Sequence, residues 1–312
     1  MTVQLIVGMP ESGKSTYIAA LRHILVAKEV ETELELTVLA GDEKHLNKLE
    51  DEWLSCKAMQ RTKTSSEAWV ELNVRDRFTA AEGVMVIPDL RGENFEMPAA
   101  AGECPRDLHQ ALVTCDGILL FTNVNQEDDM LLIDDFGDML DDESEEEDTN
   151  ERSGDGAVAE AASARLEHEP HGLENSGAAP GAGEEAKFRP QDMPEEVKIV
   201  EFLQVANRRP LDPKRRKLAL IVSAWDLVEE EEGITPETWF AQKRPMLSQF
   251  FSHNAHLWEL RVYGASAQGG KLPERKAEFE KMLIQSERVR IVGHGAALHD
   301  LSAPLRWLMT SG

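Results

Sequence analysis

Gly8-Met9-Pro10-Glu11-Ser12-Gly13-Lys14-Ser15-Thr16 has residue types and a spacing that can hold a phosphate chain. It fits G-x-x-x-x-G-K-[ST]. Val3, Leu5, Ile6 and Val7 before it form an apolar run expected to be a buried strand. Tyr17, Ile18, Leu21, Ile24 and Leu25 after it recur at helical spacing. In a strand–loop–helix of this kind, backbone N–H groups and the helix dipole converge on the phosphates. Gly8 and Gly13 permit the close approach. Glu11, Ser12, Gly13, Lys14, Ser15 and Thr16 are the expected phosphate-binding residues, with Lys14 on the β- and γ-phosphates and the Ser15 hydroxyl a Mg²⁺ ligand.

A second candidate is Pro88-Asp89-Leu90-Arg91-Gly92-Glu93, directly after the apolar run Val84 to Ile87. Asp89, at a strand end, can reach Mg²⁺, and Gly92 can turn its N–H to the γ-phosphate. A third, Ser223-Ala224-Trp225-Asp226, ends the run Leu218 to Val222. An aspartate there can accept from the guanine N1–H and 2-amino group, a donor pair adenine lacks. The Asn and Lys of the pattern N-K-x-D are replaced by Ser223 and Ala224, which removes the lysine stem that covers a purine. Ser223 is expected to tie this strand end to the phosphate loop, and Trp225 to pack in the core. The fourth, Gly264-Ala265-Ser266-Ala267, holds a Ser266-Ala267 pair whose backbone N–H can meet the guanine O6.

These motifs must be set at the ends of strands in one sheet. Leu34–Leu39, Trp69–Val74, Val84–Ile87, Gly117–Phe121, Leu218–Val222 and Leu257–Tyr263 read as strands. Lys44–Met59, Leu108–Val113, a stretch from Glu195, Pro236–Phe251 and Pro273–Ile284 read as helices, with a last short helix through Leu305 and Leu308 capped by Ser302. The expectation is a doubly wound α/β P-loop domain, mostly parallel, with helices on both faces and an antiparallel hairpin from the strands at Trp69 and Val84. It spans residues 1–312 as one domain. Residues 126–193 lose periodicity, run through Glu145-Glu146-Glu147-Asp148, and are expected to be a disordered acidic insertion in a surface loop. An apolar island, Met130 to Phe136, lies within it.

The order of the four motifs is that of translation-factor-related and Ras-like GTPases. More narrowly, Trp53 to Thr62, Pro88–Glu93, Ser223–Asp226 and Asp300–Leu308 resemble the bacterial double-GTPase family. That resemblance implies a GTP/GDP switch with Mg²⁺ that acts in bacterial conflict systems, and a protein effector or regulator. Glu93 stands where Ras-like enzymes place the glutamine that orients the attacking water, so slow or partner-dependent turnover is expected. The expected catalytic group is Lys14, Gly92 and Glu93; Mg²⁺ falls to Ser15, Asp89 and the switch threonine Thr62, with Thr64 the other candidate. Arg61 and Arg91 are solvated loop residues or charge neutralisers. A P-loop ATPase and a non-hydrolysing scaffold are the competing readings.

The formal net charge of −25 argues against a nucleic-acid partner, since phosphate would be repelled. Cys56, Cys104 and Cys115 have no C-x-x-C spacing, so no disulfide framework or zinc site is expected and a reducing cytoplasm is the default. No membrane insertion is expected. His294 and His299 read as structural or surface residues.

Overall fold

The computed structural model describes residues 1–40, 43–57, 69–88, 93–125, 193–207, 215–228 and 233–310. The acidic stretch 126–192, the loop holding Arg61, Thr62 and Thr64, and Asp89 to Gly92 lie outside the described residues.

Eight strands form one sheet: β1 (Thr2–Gly8), β2 (Leu34–Ala40), β3 (Trp69–Asp76), β4 (Glu82–Pro88), β5 (Gly117–Asn123), β6 (Arg216–Ser223), β7 (Trp258–Ser266) and β8 (Arg290–Val292). Their spatial order is β2-β3-β4-β1-β5-β6-β7-β8. The central run β4-β1-β5-β6-β7 is parallel. The hairpin β3–β4 is antiparallel, as expected, with its turn at residues 77–81 between the two strands, and β2 and β8 extend the two edges antiparallel. Parallel strands covered on both faces need apolar residues at successive positions. β5 and β6 meet this need, with Ile118, Leu120, Leu218, Leu220 and Val222 facing one core and Leu119, Phe121, Ala219 and Ile221 the other.

The first core packs under α1 (Lys14–Ala27), α2 (Glu43–Leu54) and, near the end of the described chain, a helix at Ala303–Met309. The second packs under α3 (Glu93–Ala101), α4 (Arg106–Thr114), α5 (Glu195–Val205), α6 (Pro236–Lys243) and α7 (Pro245–His253). A single turn, α8 (Lys276–Phe279), precedes the last helix, α9 (Ala303–Met309).

Several expectations are corrected. The stretch Pro236–Phe251 is two helices, broken at Arg244 (φ −133°, ψ 59°), because Pro245 disfavours helical geometry in the residue before it. Pro273–Ile284 yields only α8, since Phe279 is its one buried side chain and so anchors no more than a turn. Ser302 does not cap α9. Its hydroxyl donates to Asp300 Oδ1 at 2.6 Å and accepts from the Leu34 N–H at 3.1 Å, joining α9 to β2 instead. In β2, Leu36 pairs with Val74 but Val38 with Asn73, so a bulge interrupts the simple alternation. Helix α3, with Pro98 inside it, carries no helical signal strong enough to read from sequence.

Candidate functional site

β1 ends at Gly8, and α1 opens at Lys14 with Gly13 as its N-cap in left-handed geometry, φ 85°. The first ladder bond runs from the Tyr17 N–H to the Gly13 carbonyl, 3.0 Å, so the amides of Ser15 and Thr16 lie in the open first turn. A Cβ on Gly13 would sit 2.6 Å from Ser223 Oγ, and one on Gly8 would sit 2.5 Å from Ser12 Oγ. Glycine is required at both, at Gly13 for conformation as well. Glu11 also holds a positive φ, 61°, so the loop is bent sharply ahead of the helix.

Two neighbouring strand ends hold that loop. The Ser223 hydroxyl, at the end of β6, donates to the Ser12 carbonyl at 2.6 Å, and the Thr122 carbonyl lies 3.0 Å from the same oxygen. Asn123, at the end of β5, donates through Nδ2 to the Glu11 carbonyl at 2.9 Å. Asn123 carries no motif and was not singled out from sequence; its place at the end of a strand that opens on the apolar run Ile118 to Phe121 was the available signal. Behind it lies a buried polar cluster. Arg244 donates to the Asn123 carbonyl at 3.0 Å and to Thr122 Oγ1 at 3.3 Å, and Thr122 Oγ1 donates to Glu195 Oε2 at 2.9 Å. The cluster fixes the β5 end from which Asn123 reaches the loop.

Lys14 is half-buried. Its Nζ lies 4.3 Å from the centroid of the buried Phe95 ring in α3. Glu93 opens the same helix two residues earlier. The start of α3 therefore borders the lysine, and Phe95 is fixed in turn by an edge-to-face contact with Phe202 of α5.

Past β6, Ala224 takes left-handed geometry, φ 58°, and a 3₁₀ turn carries Trp225 and Asp226. Trp225 is buried against Trp239, as expected, and fills the space beside Gly264. Asp226 meets the end of β7, where the Ser266 hydroxyl donates to its Oδ1 at 2.5 Å. A carboxylate has about four acceptor sites, so this bond orients Asp226 without consuming it. Ala267 is held from behind by the buried Trp53 of α2, whose indole N–H donates to the Ala267 carbonyl at 2.9 Å. Arg288 stacks on that indole at 3.6 Å and donates to the Trp53 carbonyl at 2.7 Å. Burial lowers the Arg288 pKa from its usual value, with the Cys56 thiol opposing.

Gly13, Thr16, Ser223, Asp226, Ala267 and Lys271 line one cleft of about 430 Å³. The first, third and fourth motifs thus converge on one opening at the carboxyl ends of parallel strands, where open α/β sheets place ligands.

The sequence profile of Double-GTPase 1 matches residues 5–308, nearly the whole chain. The chain belongs to the Double-GTPase 1 family. Its fold is that of a P-loop GTPase, α/β with a mostly parallel mixed sheet. Among solved structures, this Double-GTPase 1 member is similar to the bacterial selenocysteine-specific elongation factor EF-Sec, at 9% identity and a TM-score of 0.32. That match covers 90% of this chain and 28% of the other. It is also similar to the S. cerevisiae Ski7 GTPase-like domain bound to GTP, at 12% identity and a TM-score of 0.36, over 86% of this chain and 43% of that one. The chain spans less than half the length of either. No curated protein is significantly similar to it in sequence.

Among the described residues, no group of three or more His, Cys, Asp or Glu could hold a metal ion. A P-loop Mg²⁺ needs hard oxygen donors, and the Ser15 hydroxyl in the first turn of α1 is of that kind. The other expected ligands, Thr62 and Asp89, lie outside the described residues. His294 contacts Glu237 at 3.0 Å, and His299 Nδ1 lies 2.6 Å from the Val289 carbonyl; neither faces the cleft. No helix among the described residues is long and apolar enough to cross a membrane.

Proposed function

We propose that the chain binds GTP and GDP with Mg²⁺, hydrolyses the β–γ phosphoanhydride, and acts as a switch on a protein effector in a bacterial conflict system. The observation that carries this is the convergence on one cleft of the glycine loop, the Ser223 tie and the Asp226–Ser266 pair. Family membership supports the guanine nucleotide as ligand.

In this reading the amides of the first turn of α1 and Lys14 hold the β- and γ-phosphates, and the Asp226 carboxylate accepts from the guanine N1–H and 2-amino group. Ser266 keeps that carboxylate aimed, and the Ala267 N–H meets the guanine O6. Ser15, Asp89 and Thr62 would hold Mg²⁺, which would supply positive charge against the phosphates. Glu93 orients a water for attack on the γ-phosphorus. The bond to the β–γ bridging oxygen breaks, leaving GDP and inorganic phosphate. A carboxylate beside the γ-phosphate adds like charge, so turnover is slow until a partner assists.

Displacement of labelled GTP by unlabelled GTP, GDP and ATP, followed by single-turnover hydrolysis, tests the reading. Displacement by GTP and GDP and not by ATP is expected, with Lys14→Ala losing roughly 10- to 100-fold in GTP affinity while folded. Preference for ATP would overturn the guanine assignment. Tight GTP binding without turnover, alone or with cell extract, would make the protein a scaffold.

A further inference from the structure

The cleft that takes the purine in the reading above is short of cover. Ala224 stands where a lysine stem would lie, and it offers one methyl group on a left-handed turn. A bound base presents two apolar faces as well as its hydrogen-bonding edge, and pockets for such ligands are mostly apolar.

The same cleft is also lined by the segment just after β7. Gln268, Gly270, Lys271 and Leu272 contribute to it, together with Leu227 beside Asp226. This segment is anchored at its root. Arg275 Nη1 donates to the Gly269 carbonyl at 2.6 Å and is itself held by Glu278 through bonds of 2.9 and 2.6 Å. A Cβ on Gly270 would sit 2.6 Å from Arg275 Cδ, so the backbone there packs directly on the arginine. Lys271 follows on this fixed base with its side chain 73% exposed, and its contact to Glu274 is a long 3.8 Å. Leu227, 41% exposed, and Leu272 are apolar but short. Among the described residues that line the cleft, only Lys271 joins a four-carbon stem to a head that can stay in water while the stem lies on an apolar surface.

We propose that Lys271 is the purine-covering residue of this protein. Its stem closes over one face of the base whose edge is bound by Asp226, in place of the lysine missing from Ser223-Ala224-Trp225-Asp226. The inference rests on the guanine-nucleotide reading. Because a base face carries no record of base identity, Lys271 sets the strength of nucleoside binding and Asp226 its selectivity.

The test is calorimetric titration of wild type, Lys271→Ala, Lys271→Met and Glu274→Gln with GTP, GDP and ATP. Lys271→Ala is expected to weaken GTP and GDP by the same factor, roughly three- to tenfold, with the GTP-to-ATP ratio unchanged. Lys271→Met, which keeps the length of the stem, recovers most of the loss, and Glu274→Gln binds as wild type does. The melting temperature of the nucleotide-free variants stays near the wild-type value, since the Lys271 side chain is largely exposed and its contact to Glu274 is long. Wild type that binds neither GTP nor GDP defeats the guanine reading and this inference with it. Wild type that binds GTP, with Lys271→Ala binding it as tightly, overturns the role of Lys271 alone. A loss confined to GTP would overturn it too, by marking a γ-phosphate contact, as would Lys271→Met falling as far as Lys271→Ala.

Discussion

The Ser223 hydroxyl and the Ser12 carbonyl, 211 positions apart, are joined by a 2.6 Å hydrogen bond that ties the end of β6 to the phosphate loop. Ser223 is also the atom-level reason for Gly13, whose absent Cβ is the space the hydroxyl fills. A serine in place of asparagine therefore keeps the link between the base-side strand and the phosphate side. The shorter side chain succeeds because the loop lies directly against it.

Ser223→Ala should remove this bond and leave the Ser12 carbonyl short of its donor. A loss of about 1 kcal/mol in unfolding free energy is expected, with a matching fall in GTP affinity as the loop loosens. Urea denaturation beside nucleotide titration checks both. Unchanged affinity in a destabilised variant would show that Asn123 alone holds the loop.

At the base side, Asp226→Asn should cost at least about tenfold in GTP affinity, since hydrogen bonds to a charged acceptor are worth about 1.5–3 kcal/mol. Ser266→Ala leaves the carboxylate present and unaimed, so a smaller loss of roughly two- to tenfold is expected. Competition against GTP measures both. A Ser266→Ala loss larger than that of Asp226→Asn would mean that Ser266 touches the nucleotide itself.

Much of this site was legible in the sequence, because its motifs are short and each depends on one strand end. Lys14, Ser223, Asp226 and Ser266 fall where their spacing to apolar runs puts them. What escaped are residues whose role depends on tertiary neighbours. Nothing near Asn123 in sequence points to Glu11, and the Arg244 cluster draws on β5, α5 and the α6–α7 break. Trp53 reads as a core residue of α2 and is one, yet its indole N–H also holds Ala267. The helix boundaries missed between 236 and 284 share a different cause. Prolines and charged residues weaken periodicity there, and packing decides where the turns stop.

Acid should weaken the fold through Asp76, at the end of β3. Burial would raise its pKa, but the Arg306 guanidinium at 2.6 Å and the Phe78 and Thr79 amides hold it below the usual aspartate range. A carboxyl held low in the folded state adds stability above its unfolded pKa of about 3.9 and loses it as pH falls through the lower folded value. Asp76→Asn should therefore be less stable than wild type at pH 7, with the gap narrowing as pH falls below the unfolded aspartate pKa of about 3.9. The difference at pH 7 is about 1–2 kcal/mol, trimmed because Arg306 is a quarter exposed. Melts across pH 2–7 give the comparison, and a gap that does not close in acid would assign the stabilisation to packing.

Replacing residues 126–192 by a short Gly-Ser linker should leave both the melting temperature and GTP affinity near their wild-type values. The two junctions are already held close by the folded chain. Thr122, three residues before Asn125, donates to Glu195 at the start of α5 across 2.9 Å, and the Val124 N–H donates to the Ser223 carbonyl at 3.1 Å. Glu196 accepts from the Leu247 N–H at 2.6 Å, so α5 is seated on α7 by its own side chains. The closure entropy of the shorter loop is smaller, since it grows only as the logarithm of length. The removed stretch is the most acidic part of the chain, so its loss also relieves self-repulsion. Calorimetric melting and GTP titration of the shortened protein decide the matter. A large drop in melting temperature would make residues 126–192 part of the fold. Retained stability and binding, with loss of an effector captured by the full-length chain, would make them a docking arm, with Met130 to Phe136 the segment to mutate next.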